Sequence, residues 1–139
     1  MGSYRPEDIT IVDMEASIEH LTRGTLRTVD LLLLVSEPYY RSLETLGRMD
    51  PLAKELGIPH VVAIANKVRT PDDEAAIREY AQRRDIDLVA VIPFDDQVTQ
   101  SDNAGQSLID AAPNSAAVTA IRQLVDTIEQ RWGSVAPVK

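Results

Sequence analysis

The chain has no cysteine, which excludes disulfides, thiolate metal sites and cysteine nucleophiles together. It also lacks a basic surplus: 14 Lys and Arg stand against 22 Asp and Glu, a formal charge of −8. Without a Lys/Arg-rich run to offset that acidic field, a nucleic-acid backbone or an anionic membrane surface is a poor partner. No apolar run approaches the roughly 18 residues that span a bilayer, and the first residues do not read as a signal peptide. The expectation is a soluble, cytoplasmic protein with no membrane span. The six glycines stand at positions 2, 24, 47, 57, 105 and 133, and none is followed by lysine. A phosphate-binding loop needs glycines whose backbone N–H groups curl around a phosphate, then Lys and Ser/Thr; this sequence has none. His20 and His60 have no second ligand at metal spacing, so no metal site is expected. The Ser, Asp and His residues show no nucleophile-elbow spacing.

What is present suits a single domain over residues 1–139, 44% hydrophobic and 26% charged. Four short β-rich runs occur at Ile9–Val12, Val29–Val35, His60–Ala65 and Asp87–Pro93. Leu31-Leu-Leu-Leu-Val35 has no polar alternation, as in strands of parallel sheets covered on both faces. Helical patterns between the runs imply crossover connections, hence an α/β fold with a Rossmann-like parallel sheet of about four strands. Thr70-Pro71-Asp72-Asp73 supplies a hydroxyl cap, a first-turn proline and first-turn acid, and Ile77, Tyr80 and Ala81 then share a face. A helix over Arg41–Leu56 carries Leu43, Leu46, Ala53 and Leu56 at helical spacing, with Pro51 inside it and Gly57 ending it. After Ser115, the residues Val118, Ile121, Leu124, Val125, Ile128 and Trp132 form an apolar stripe that reads as core packing.

Three stretches could carry chemistry. Asp13 follows the first apolar run, where a carboxylate can hold hydrated Mg²⁺ or orient water near a phosphate; the plain alternative is a cap on the next segment. Asn66-Lys67 follows the third run. An Asn amide offers a donor beside an acceptor in one plane, matching a purine edge, although a turn Asn after a strand is also common. GTP-binding proteins place an Asp two positions beyond such a Lys. Arg69 stands there and can only donate, which favours adenine over guanine. Pro93-Phe94-Asp95 occupies the corresponding place after the fourth run, with Phe94 a candidate apolar wall for a base or simply a buried turn aromatic. The loop Glu37-Pro-Tyr-Tyr-Arg41 reads as packing or interface rather than catalysis.

Asp13-Met-Glu-Ala-Ser-Ile-Glu-His-Leu-Thr-Arg-Gly-Thr25 resembles the second nucleotide motif of the MinD/ParA-like ATPases. More closely, it resembles the CooC-type accessory ATPases, which insert nickel into carbon monoxide dehydrogenase. The likeness continues through Glu37-Pro38, Arg41-Ser-Leu-Glu-Thr45, Leu52-Ala53, Glu55-Leu-Gly-Ile58, Asn66-Lys67-Val68, Ile92-Pro-Phe-Asp95 and Asp102…Gly105-Gln-Ser-Leu108. By this resemblance Asp13 acts on the Mg²⁺ side of the γ-phosphate, and residues 13–25, with Glu15 and Ser17, form the switch that senses it. Asn66 contacts adenine, and Pro93, Phe94 and Asp95 border the base. Mg-ATP is the expected cofactor, weakly held or absent here. The family has glycine where Ser17 stands, and a side chain there obstructs close approach to the γ-phosphate.

The resemblance implies no counterpart in this sequence to the family's amino-terminal half, with its deviant Walker A loop and its Cys-X-Cys metal pair. That half supplies the strand between those matching Ile9–Val12 and Val29–Val35. The expectation is that these two runs pair directly in a four-stranded sheet, or that the chain forms a swapped or paired dimer. The functional expectation is a partial CooC/MinD-like ATPase domain related to nickel insertion and silent by itself, since each lost charge-assisted hydrogen bond to phosphate removes about 1.5–3 kcal/mol. Its partner is then a second copy, a protein supplying a P-loop, or a client metalloenzyme. The alternative is a non-catalytic interaction or dimerisation module. A phospho-acceptor receiver domain fits less well, because Asp13 follows the first run and Lys67 falls on the wrong strand.

Overall fold

In the computed structural model, which describes residues 9–14 and 29–133, three apolar runs form a parallel sheet in the order β1-β2-β3. These strands are β1 (Leu31–Ser36), β2 (His60–Val68) and β3 (Asp87–Pro93). β1 and β2 pair from Leu31↔His60 to Ser36↔Ala65. β2 and β3 pair from Val62↔Asp87 to Val68↔Pro93. The helices are α1 (Tyr40–Glu55), α2 (Pro71–Arg83), α3 (Asp96–Asn103), α4 (Leu108–Ala111) and α5 (Ala116–Trp132).

Local signals explain the crossover helices. α2 starts at a full capping box: the Asp73 N–H donates to Thr70 Oγ1 at 3.1 Å, and Asp73 Oδ2 accepts from the Thr70 N–H at 3.2 Å. Gly57, at φ +82°, follows the Leu56 cap of α1 in the left-handed region that glycine adopts without strain. One face of the sheet lies against α1 and α2. There Leu34, Leu46, Met49, Ala53, Ala63, Ala81 and Ile86 form a buried cluster, continued by Ala65, Val68 and Ile77. Complete burial of a side chain such as Ile77 stabilises the fold by roughly 1.5–3 kcal/mol.

α5 packs against β3 and buries Ala117, Val118, Ala120 and Leu124. Ile121 and Val125, expected in its core stripe, are instead 41% and 46% exposed. The apolar arc of α5 is wider than the strip of sheet beneath it.

A larger departure concerns Ile9–Val12, which forms no strand. Ile9, Ile11 and Val12 are 56%, 86% and 66% exposed, so the fourth strand and its direct pairing with β1 are not found among the described residues. Only Met14 reaches the core, packing on the cluster around Leu34. A strand is stabilised by the ladder it joins. With no adjacent partner, a four-residue apolar run gains nothing to offset the entropy of fixing it.

Candidate functional site at the carboxyl ends of the strands

Parallel pairing brings the three loops that leave β1, β2 and β3 to one edge of the sheet. At the end of β1 the buried Ser36 places its Oγ 3.1 Å from Ser42 Oγ. Ser42 Oγ in turn accepts the Glu37 N–H at 2.8 Å. With its backbone held, Glu37 turns its carboxylate toward the end of β2. Oε1 lies 2.8 Å from Lys67 Nζ, and Oε2 accepts from the Tyr39 hydroxyl at 2.6 Å. Lys67, and then Tyr39, hold the Glu37 carboxyl below its ordinary value of 4.5. The same carboxylate raises Lys67 and Tyr39 above theirs. This trio ties the loop after β1 to the last residues of β2, but as an exposed ion pair it contributes little to stability.

The end of β2 is irregular. Ala65 pairs with Val91 and Val68 with Pro93, so three steps along β2 match two along β3. The extra residue is a β-bulge at Asn66-Lys67, a device that re-aims side chains at strand ends. Lys67 takes φ 55°, a left-handed conformation that costs a non-glycine residue about 1–2 kcal/mol. Asn66 is half-buried within it.

Just beyond, the Phe94 N–H donates to the Val68 carbonyl at 2.8 Å, and the Arg69 N–H donates to Asp73 Oδ2 at 3.0 Å. These bonds place Arg69 and Phe94 side by side, with the Arg69 guanidinium carbon 3.7 Å from the Phe94 ring centroid. Phe94, expected as a wall for a base, thus has one face covered by Arg69. Asp95 serves as a pin between helices. Its Oδ1 accepts from the Gln97 N–H at 3.0 Å, capping α3, and its Oδ2 accepts from the Ala117 N–H at 3.1 Å in the first turn of α5. The Ala117 and then the Gln97 bond hold its carboxyl below the ordinary 3.8.

The structure places Asn66 in the irregular end of β2, inside a strand expected to end at Ala65, and Pro93, Phe94 and Asp95 at the end of the neighbouring β3. Asp13 is exposed in irregular chain rather than at a strand end, and Glu15 and Ser17 lie outside the described residues. Among the described residues no three His, Cys, Asp or Glu side chains gather as a cation site. Reading the sequence missed the Glu37–Lys67–Tyr39 trio and the Arg69–Phe94 stack. The second was accessible: Arg69 and Phe94 each follow the last residue of adjacent parallel strands.

Comparison with known proteins bears on what such an edge does. No family-level sequence profile matches the chain. The chain is 43% identical over 107 residues to the carbon monoxide dehydrogenase accessory protein CooC of Rhodospirillum rubrum, covering 77% of this chain and 40% of that protein. It is 39% identical over 102 residues to an uncharacterized ATP-binding protein of Methanocaldococcus jannaschii, covering 73% and 40%. Among solved structures it superposes on a ParA family ATPase from Chlorobium tepidum with TM-score 0.60 and 28% identity, covering 69% of this chain and 40% of that one. The cell division ATPase MinD of Pyrococcus furiosus gives TM-score 0.61 at 22% identity over 73% and 43%, a likeness of fold. The chain thus spans about 40% of the length of the curated relatives it matches. In sequence the chain is therefore similar to part of the CooC-type ATPases, and its fold is that of the corresponding part of the MinD/ParA-like ATPases.

Proposed function

We propose that this chain is the base-binding and switch-bearing part of a CooC-type ATPase module that serves nickel insertion into a metalloenzyme in the cytoplasm. The observation that carries this reading is the placement of Asn66 in the β2 bulge and of stacked Arg69 and Phe94 just beyond the ends of β2 and β3, at the carboxyl edge of a parallel sheet, in a chain 43% identical over 107 residues to CooC. Crevices at that edge are where open α/β sheets take nucleotides. Asn66 offers a donor and an acceptor to the edge of adenine, with Pro93 and Phe94 beside the base and Asp95 holding the α3–α5 corner. Asp13, Glu15 and Ser17 belong to the switch that faces the γ-phosphate and its Mg²⁺. Mg-ATP, when bound, supplies the phosphoryl charge to which that switch responds.

No residue of this sequence forms a Gly-Lys phosphate cradle. The 139-residue chain by itself therefore holds Mg-ATP weakly, in the millimolar range or above, where binding amounts to only about −4 kcal/mol, and it does not hydrolyse it. The phosphate contacts come from residues outside these 139, in the same polypeptide or in another. The test is amide NMR during titration with Mg²⁺-ATP and Mg²⁺-GTP. Shifts at Asn66, Phe94 and Asp95 with ATP and not with GTP are expected. Their absence at millimolar ATP overturns the nucleotide reading.

A second reading, an interaction module that docks on a partner, is favoured by Tyr40 at 78% exposure and by the uncovered Ile121 and Val125 on α5. Under it, Ile121→Glu abolishes self-association or partner capture while nucleotide titrations stay silent.

A further inference from the structure

Arg69 carries a charge with no carboxylate within ion-pair distance among the described residues. It is exposed, yet its position is built rather than loose. Its N–H is fixed by the capping-box carboxylate of Asp73 at 3.0 Å. Its guanidinium lies over Phe94 at 3.7 Å, and the Phe94 backbone is tied to Val68 at 2.8 Å. A planar cation at that distance from a ring centroid sits in van der Waals contact with one face. Its other face is turned away from the ring.

We infer that Arg69 and Phe94 form a stacking platform, with the outer face of the guanidinium receiving the face of a purine base whose edge is read at Asn66. The inference rests on the nucleotide reading of this site and adds the residue that holds the base. A guanidinium stacks on any purine face, because its attraction is to the π system rather than to edge hydrogens. Arg69 thus supplies affinity for purines over pyrimidines, while the choice between adenine and guanine is made at the base edge. Arginine is required here, since lysine keeps the charge and loses the plane.

The experiment titrates the full 139-residue chain with adenosine, which has no phosphate, and with Mg²⁺-ATP, following amide shifts at Asn66 and Asp95. Wild type, Arg69→Ala, Arg69→Lys and Phe94→Leu are compared, each first checked for an unchanged fold by its remaining amide spectrum. Base stacking judged by alanine substitution predicts about a tenfold fall in the initial slope of shift against adenosine for both Arg69 variants. Phe94→Leu should act in the same direction. Wild-type shifts with adenosine that Arg69→Ala leaves unchanged overturn the platform and leave the nucleotide reading standing. A loss confined to ATP and rescued by Arg69→Lys also overturns it, because that is the signature of a phosphate contact. Absence of wild-type shifts with both ligands overturns the platform and the nucleotide reading together.

Discussion

Lys67 offers a sharp test of the geometry, because one residue combines a backbone feature with a side-chain contact. Its φ of 55° lies in the left-handed region, where Cβ crowds the following carbonyl and costs about 1–2 kcal/mol. Glycine is free of that cost but loses more chain entropy on folding, about 0.5–1 kcal/mol. Lys67→Gly and Lys67→Ala both remove the 2.8 Å pair with Glu37, so comparing them cancels the ion pair and isolates the backbone. The Lys67→Gly variant should be the more stable by about 1 kcal/mol, with Lys67→Asn between them because Asn tolerates this region. With a urea m-value of roughly 2 kcal/mol/M, the two midpoints should differ by about 0.5 M. Equal midpoints, or a higher one for Lys67→Ala, would refute the bulge geometry at the end of β2. The wild type also tests the side chain: since an exposed pair contributes little, Lys67→Ala should lie close to it.

Three further outcomes are expected. Asp95 has its carboxyl held below 3.8 by backbone N–H groups, so it contributes stability at higher pH that is lost as pH falls through its lowered folded value. Asp95→Asn should weaken the fold near neutrality and flatten its loss below about pH 4, as read from urea midpoints against pH. Gly47→Ala should destabilise although alanine favours helix by about 1 kcal/mol. The new Cβ meets Tyr80 Oη and comes within 3.0 Å of the Arg84 guanidinium carbon, so adding Tyr80→Phe should restore much of the loss in a thermal-melt double-mutant cycle. Ile77→Ala, at a fully buried site, should cost about 2–5 kcal/mol by chemical denaturation.

How much of this was legible depended on the range of each signal. The start of α2 was legible to the residue because Thr70, Pro71 and Asp73 act within one turn. The bounds of β3, Asp87–Pro93, emerged as read because a continuous apolar run needs only a neighbour and a cover, and it has both. Ile9–Val12 has equally suitable residues and stays exposed, because whether a strand forms is decided by its partner, which lies elsewhere in the sequence or beyond it. The α5 stripe was placed correctly in phase and overestimated in width, since periodicity shows where an apolar arc lies and says nothing of how much sheet it meets. At the site, Phe94 and Asp95 were legible as loop residues after a strand, whereas Asn66, expected just after the third run, lies within β2 (His60–Val68). Their contacts were not: the Asp95 carboxylate reaches Ala117, 22 positions away, and no local pattern encodes that.

The case that the β2 end is a working edge gains from a control within the same chain. Asp85 has φ 56°, nearly the angle of Lys67. At Asp85 the conformation has a complete structural cause. The Ile86 N–H donates to the Ala81 carbonyl at 2.8 Å and the Asp85 N–H to Gln82 at 3.3 Å, the paired bonds of a Schellman ending of α2, which satisfy carbonyls that the helix leaves free. At Lys67 no helix ends. The left-handed residue interrupts a strand one step before it finishes, beside a half-buried Asn and a stacked arginine with no ion-pair partner among the described residues. Structure accounts for the strain at one position, and at the other it leaves strain, a bulge and a stacked planar cation within four residues, Asn66 to Arg69. Strain of this kind persists where surrounding bonds enforce it and gathers where chains bind ligands. That contrast, more than any single side chain, directs attention to the carboxyl edge of β2 and β3.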